Sequence, residues 1–205
     1  DLDHRGHGDI TTLTVREYLA LSRWGRFKYR VYRNPLVLFG IGPIYLFLEH
    51  RRPLPGSGRK EGWNVVMTNL AIAGLVGIFW LLIGWQAILL VFVPVFMIGT
   101  GFGIWLFYVQ HQFEGTYWAA HEEWDYATAA VTGSSYFKLP RPLEWLTGYI
   151  GLHHVHHLSP KIPFYRLRRC HEENPIFHGV KVLTLWNSLR TLSLKLWDEE
   201  SRQLV

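Results

Sequence analysis

Apolar residues crowd the middle of this 205-residue chain, and charges gather outside that region. Residues 64–83 form an apolar run long enough to cross a bilayer as a helix. Gly84, Trp85 and Gln86 then make a tight, weakly polar turn. Residues 87–109 form a second apolar run, with Pro94, Gly99, Gly101 and Gly103 inside it. Membrane helices tolerate such residues, and small ones let helices pack closely. The pattern predicts a transmembrane hairpin. Its rival is a helix pair in the core of a soluble protein.

The flanking segments read differently. Residues 14–33 have a helical pattern, with Leu13, Tyr18, Leu21, Trp24 and Phe27 interleaved among Arg16, Arg23, Arg26, Lys28, Arg30 and Arg33. That mixture suits a helix lying on an anionic membrane surface, or an ordinary amphipathic packing helix. Asn34-Pro35 ends it. Residues 36–48 are apolar but too short to span, so they are re-entrant, interfacial or packed on the spans. Residues 49–62 form a polar loop carrying Arg51, Arg52, Arg59 and Lys60. Beyond the hairpin, helices are expected over residues 118–131, 144–150, 166–173 and 180–196, with a loop at 138–142.

The basic loop flanks the entrance to the hairpin, whereas the turn at Trp85 carries no charge. The positive-inside rule therefore puts both outer ends in the cytoplasm. The expected fold is all-α and integral to the membrane, with interfacial helices. The hairpin covers about 64–109, and a cytoplasmic, histidine-rich helical cap covers 110–205.

Composition narrows this further. The net charge is +5, which a nucleic-acid binder also shows. Ten Trp and membrane-length apolar runs instead place the basic residues at a lipid surface. The single Cys170 excludes an internal disulfide and a cysteine-rich metal site. Length suggests one domain. The chain opens at Asp1 in a polar loop with no initiator Met, so it is expected to be part of a longer protein.

The chemistry concentrates at His153, His154, Val155, His156 and His157. His153, His156 and His157 read HxxHH, a spacing that on a helix brings three imidazoles within reach of a common point. Imidazole suits iron, zinc and copper, and one helical turn cannot complete a metal shell alone. A solvated histidine loop is the plainer alternative. His111 stands at the exit of the second span and is the candidate for a further ligand, or else a helix-end imidazole bonded to backbone. His154 points off the shared face and backs a ligand or serves the fold. His121, His171 and His178 are isolated, and His4 and His7 fall in a loop. Glu114 and Asp125 are candidates to accept ring N–H bonds from ligating histidines.

The order of these features resembles the membrane fatty acid desaturases, most closely the C-terminal part of the bacterial acyl-lipid or omega-6 type. The resemblance rests on Gln110-His111 at the hairpin exit, on HxxHH followed by Leu158, and on Ile162-Pro163-Phe164-Tyr165. Glu122-Glu123-Trp124-Asp125-Tyr126 is similar to an acidic-Trp-Asp stretch of the plant relatives. The resemblance implies a single desaturase domain over residues 1–205, truncated at its N-terminus. It implies two non-haem irons at the cytoplasmic face, held by three histidine boxes. His153, His156 and His157 match the third box, and His111 matches the extra ligand after the last membrane helix. The first two boxes have no counterpart here, so the fragment alone is expected to be inactive. Tyr149 stands where many relatives have Asn.

The implied activity is oxygen-dependent desaturation of a fatty acyl chain of a membrane lipid, giving a cis double bond at a delta-12 or omega-6 position. Electrons come from ferredoxin or a cytochrome b5-like donor. The implied location is the bacterial inner membrane, with no nucleic-acid partner. Two other readings stay open: a related di-iron lipid or carotenoid hydroxylase or ketolase, and a non-catalytic metal-binding membrane protein.

Overall fold

The computed structural model describes residues 2, 3, 5, 10–53 and 56–205. His4 and His7, expected in a loop, lie outside the described residues. In chain order, strand β1 (Leu13–Thr14) precedes helices α1 (Val15–Ala20) and α2 (Arg23–Tyr32). A π-helical turn (Val37–Ile41) leads into α3 (Gly42–Glu49). Helices α4 (Arg59–Ala87) and α5 (Val93–His111) flank a second π-helical turn (Ile88–Phe92). Then come α6 (Tyr126–Thr132), β2 (Tyr136–Lys138), α7 (Arg141–Leu146), α8 (His153–Leu158) and α9 (Leu167–Glu173). The chain closes with β3 (Val182–Thr184), a 3-10 helix (Asn187–Ser193), β4 (Leu196–Asp198) and β5 (Gln203–Leu204). It divides into two compact units, Val31–Trp105 and Asp1–Arg30 with Leu106–Val205.

The apolar unit has little core of its own. The helical stretch Arg59–His111 is long and apolar enough to cross a membrane. Its side chains face outward, with Leu81 88% and Ile98 74% exposed. Surfaces this apolar call for lipid or protein cover. The stretch is interrupted at Gly84, whose φ of 82° and ψ of 158° are open to glycine at little cost. The short run before it packs on α5: Phe47 meets Phe96 edge to face at 5.4 Å, and Phe39 meets Trp105 at 5.3 Å. A Cβ at Gly101 would stand 2.7 Å from the Phe39 carbonyl oxygen, so close backbone approach requires glycine there. A Cβ at Gly99 or Gly103 would meet nothing within 4 Å among the described residues.

The polar unit is knitted by backbone pairing between distant segments. Strand β1 pairs in parallel with β4, β4 pairs antiparallel with β5, and β2 pairs in parallel with β3. Thr14 caps α1 by accepting from the Glu17 N–H at 3.2 Å. The Glu17 carboxylate returns the favour to Thr14 N–H at 2.7 Å and takes two bonds from Arg5. Such reciprocal caps satisfy donors that a helix start leaves open.

The expected all-α cap is corrected in part. Helix dominates, but residues 180–196 form β3, a 3-10 helix and β4 instead of one amphipathic helix. Hydrogen bonds to distant strands satisfy that backbone, and they outweigh a local helical preference. Over residues 14–33 the expected helix breaks at Leu21, which is extended. Over 118–131 only α6 is α-helical. Helix α7 starts at Arg141, inside the expected loop, because Pro142 fits a first helical turn. It ends early, as Gly148 and Tyr149 both take positive φ, at 61° and 55°.

Gly151 lets β2 reach the entrance of α8: Phe137 N–H donates to Gly151 O at 2.9 Å, and a Cβ would collide with the Phe137 carbonyl. Gly151→Ala is expected to cost about 1–3 kcal/mol by overpacking. The measurement is the thermal midpoint of the detergent-solubilised protein. An unchanged midpoint would show that this approach is dispensable.

Candidate metal centre

Helix α8 has six residues, too few to be stable on its own. Its neighbours fix it. Leu152 and Val155 are buried in a core with Val131, Tyr136, Leu167 and Phe177. At its C-terminal end Tyr126 Oη donates to the carbonyls of His157 (2.7 Å) and Leu158 (3.1 Å). These are carbonyls that a helix end leaves without partners.

The last turn of α5 is anchored just as firmly. Tyr108 Oη donates to Thr191 O at 3.0 Å, and Gln110 Nε2 donates to Ile150 O at 2.9 Å. Gln110 O in turn accepts from Ser135 N–H at 3.0 Å. Gln110 thus ties the end of α5 to the loop that feeds α8.

Between these two ends stand His111, His153 and His157, whose nearest ring nitrogens lie within 4.8 Å of one another. His111 Nδ1 is 2.8 Å from Phe107 O, so its proton sits on Nδ1. That leaves the Nε2 lone pair directed at His157 Nε2, 3.0 Å away. His153 Nδ1 is buried without a hydrogen-bond partner. Burial, reinforced by the imidazoles of His111, His157, His156 and His154, holds His153 well below the ordinary histidine range. Imidazole nitrogens gathered about one point are what a transition metal needs, and three donors leave coordination positions open. The residues therefore fit iron, zinc or copper.

His156 stands outside this group. Its ring stacks beside His153 with centroids 5.7 Å apart, and its side chain is exposed. On a helix, residues i and i+4 share a face more closely than i and i+3. His154 is wholly buried on the far side of α8, 2.9 Å from His171. Burial, then His171, depress its pKa to about 3. His171 is therefore isolated in sequence but not in space. His121 is exposed in a 3-10 turn, and exposed His178 lies 3.5 Å from Glu172 O.

Neither candidate carboxylate is placed to orient a ligand. Asp125 caps α6, accepting from Thr128 N–H at 2.7 Å, and Glu114 faces Lys181 at 4.0 Å. The Phe107 carbonyl orients His111 instead. Sequence reading also missed a buried brace behind α8. Tyr136 Oη donates to Glu144 at 2.9 Å, and Glu144 pairs with Arg168. Burial, then the bond to Glu144, push the Tyr136 hydroxyl up to about 12. Arg168 is 24 positions from Glu144, and the three carry no common motif.

A cavity of about 240 Å³ opens beside the imidazoles. Phe107, His111, Trp118, Trp124, Tyr126 and His157 are among its walls.

The chain has known relatives. The chain matches the fatty acid desaturase family over residues 2–183, and it belongs to that family. It is 52% identical over 206 residues to a fatty acid desaturase of Bacillus subtilis (strain 168), covering 100% of this chain and 58% of that protein. Against the chloroplastic omega-6 fatty acid desaturase of Arabidopsis thaliana it is 27% identical over 166 residues, or 77% of this chain and 31% of the relative. Against that of Spinacia oleracea it is 31% identical over 137 residues, or 64% and 27%. The chain thus spans less than two thirds of the length of each of these relatives.

His111→Ala, His153→Ala and His157→Ala are each expected to weaken Co²⁺ binding by more than about tenfold, whereas His178→Ala leaves it unchanged. Equilibrium titration of the cobalt visible spectrum measures this. Equal binding by all four variants would exclude the trio as ligands.

Proposed function

We propose that these residues belong to a membrane enzyme that introduces a cis double bond into a fatty acyl chain, at a histidine-held pair of non-haem irons. The observation that carries this reading is the convergence of His111, His153 and His157 in a chain of the desaturase family. A methylene C–H has no usable pKa, so acid–base side chains cannot break it, and bound iron with dioxygen supplies the oxidation. Two hydrogens leave adjacent carbons, a carrier adds two electrons and the medium two protons, and dioxygen ends as two waters.

The chain's own residues have distinct tasks. His111, His153 and His157 would hold metal. His156, exposed beside them, would serve the second iron. The aromatic walls at Phe107, Trp118, Trp124 and Tyr126 take the acyl methylenes and keep water from the metal. A delta-12 or omega-6 outcome is favoured by similarity to relatives named as omega-6 desaturases.

The apolar arms form a transmembrane hairpin in this reading. Gly84 interrupts the helix, and the rings of Phe79 and Phe92 lie 5.2 Å apart. Thirteen residues of straight helix would separate them by about 20 Å. The basic loop before α4 favours both outer ends in the cytoplasm of a bacterial inner membrane. The electron carrier is ferredoxin or a cytochrome b5-like protein.

The full-length protein, expressed in a host lacking desaturases, is expected to yield a monounsaturated acyl product by gas chromatography and mass spectrometry. Product should vanish without oxygen and in His157→Ala. A hydroxylated product, or tight zinc with no oxidation, would overturn the assignment. With an acidic carrier, the reduction rate should also fall as salt rises, because the chain's +5 charge steers encounter. A rate indifferent to ionic strength would remove that role for the charge.

A further inference from the structure

The least explained histidine in the cluster is His154. It is fully buried, yet it faces away from the trio. Its Nε2 lies 2.9 Å from His171 Nδ1, and its own Nδ1 is buried without a partner. One proton assignment avoids burying an N–H with no acceptor. His154 carries its proton on Nε2 and donates to His171 Nδ1, and His171 carries its proton on Nε2. The bond is therefore directional, with a defined donor and acceptor.

Its surroundings fix both rings. His154 meets Phe177 edge to face at 5.3 Å, and His171 stacks on Phe177 at 6.1 Å. Tyr136 packs on His171 at 5.2 Å and on His154 at 6.2 Å. Tyr136 is in turn held through its hydroxyl by Glu144, the partner of Arg168 on α9. His171 and Arg168 both belong to α9, so the two contacts tie α8 and β2 to one helix.

The geometry bears on the metal centre because α8 is short. Leu152 and Val155 hold it by apolar contact, which resists separation but sets rotation weakly. Tyr126 fixes its C-terminal end, whereas at the N-terminal end Leu152 offers no side-chain cap and the chain is held through the backbone of Gly151. His154 is adjacent to His153. Fixing one ring against α9 fixes the rotation of the helix, and with it the aim of the other.

We propose that His154 and His171 are a positioning pair, whose hydrogen bond sets the rotation of α8 and so directs His153 and His157 at the metal. This rests on the reading of His111, His153 and His157 as ligands. His154 and His171 would act through α8, without being ligands themselves.

The test uses the full-length protein in detergent micelles and Co²⁺ as probe. His171→Asn puts an amide oxygen where His171 has Nδ1, while His171→Leu has nearly the same shape and no acceptor. His171→Leu is expected to weaken Co²⁺ binding by about 10–100-fold and to alter the visible spectrum. His171→Asn should keep both close to wild type. If His171→Leu does not fold, His154→Gln against His154→Met repeats the comparison from the donor side. Equal affinities and spectra within the pair that folds would overturn the proposal. Wild type and His153→Ala are run alongside. If wild type binds no Co²⁺, or His153→Ala binds it as well as wild type, the ligand reading fails and takes this inference with it.

Discussion

Imidazoles crowded together away from water cannot all take the second proton that would charge them. That constraint organises the polar half of this molecule. His111, His153 and His157 crowd one point, and burial with mutual repulsion keeps His153 neutral. Each neutral ring then has one nitrogen that donates and one that offers a lone pair. Phe107 takes the donor of His111, so its lone pair is turned inward. The same rule on the other side of α8 makes His154 a donor to His171. Proton placement on His111, His154 and His171 thus follows from their local partners.

The supports of the centre are drawn from widely separated parts of the chain. Tyr126 closes one end of α8, Gln110 ties the end of α5 to the loop before it, and Gly151 admits β2 alongside. None of these is large in free energy. A hydrogen bond contributes about 0.5–1.5 kcal/mol net. Their effect is to remove rotational freedom that a six-residue helix would otherwise keep.

The apolar unit obeys a different rule. Its large side chains are exposed along α4 and α5, and the helical backbone satisfies its own polar groups. Glycine is used there for two separate reasons. Gly84 allows a backbone conformation that other residues resist, and Gly101 allows Phe39's backbone to approach. Gly99 and Gly103 look the same in the sequence, but a Cβ there would find open space among the described residues.

Much of this was legible before the structure. Apolar runs long enough to span, the helical spacing of the HxxHH turn and the α9 segment are local properties. They depend on residues a few positions apart, so the chain displays them directly. Residues 180–196 misled for the opposite reason: β3 exists because β2 pairs with it, and that pairing has no local signature. His171 looked isolated, since its partner is 17 positions away on another helix. Asp125 looked like a carboxylate for a histidine, but it sits where an N-terminal cap is required.

By itself, the sequence determined the kind of chemistry: histidine-rich, cysteine-poor and set against membrane-length apolar helices. Residue type and short-range spacing carry that information, because imidazole chemistry and helical periodicity hold in any fold. Only the tertiary structure decided which imidazoles meet, which nitrogen of His111 faces inward, and that His156 stands apart while His154 turns to α9. Those outcomes depend on rotations of short helices about their axes. Such rotations are set by hydrogen bonds and packing between distant segments, which no local pattern encodes.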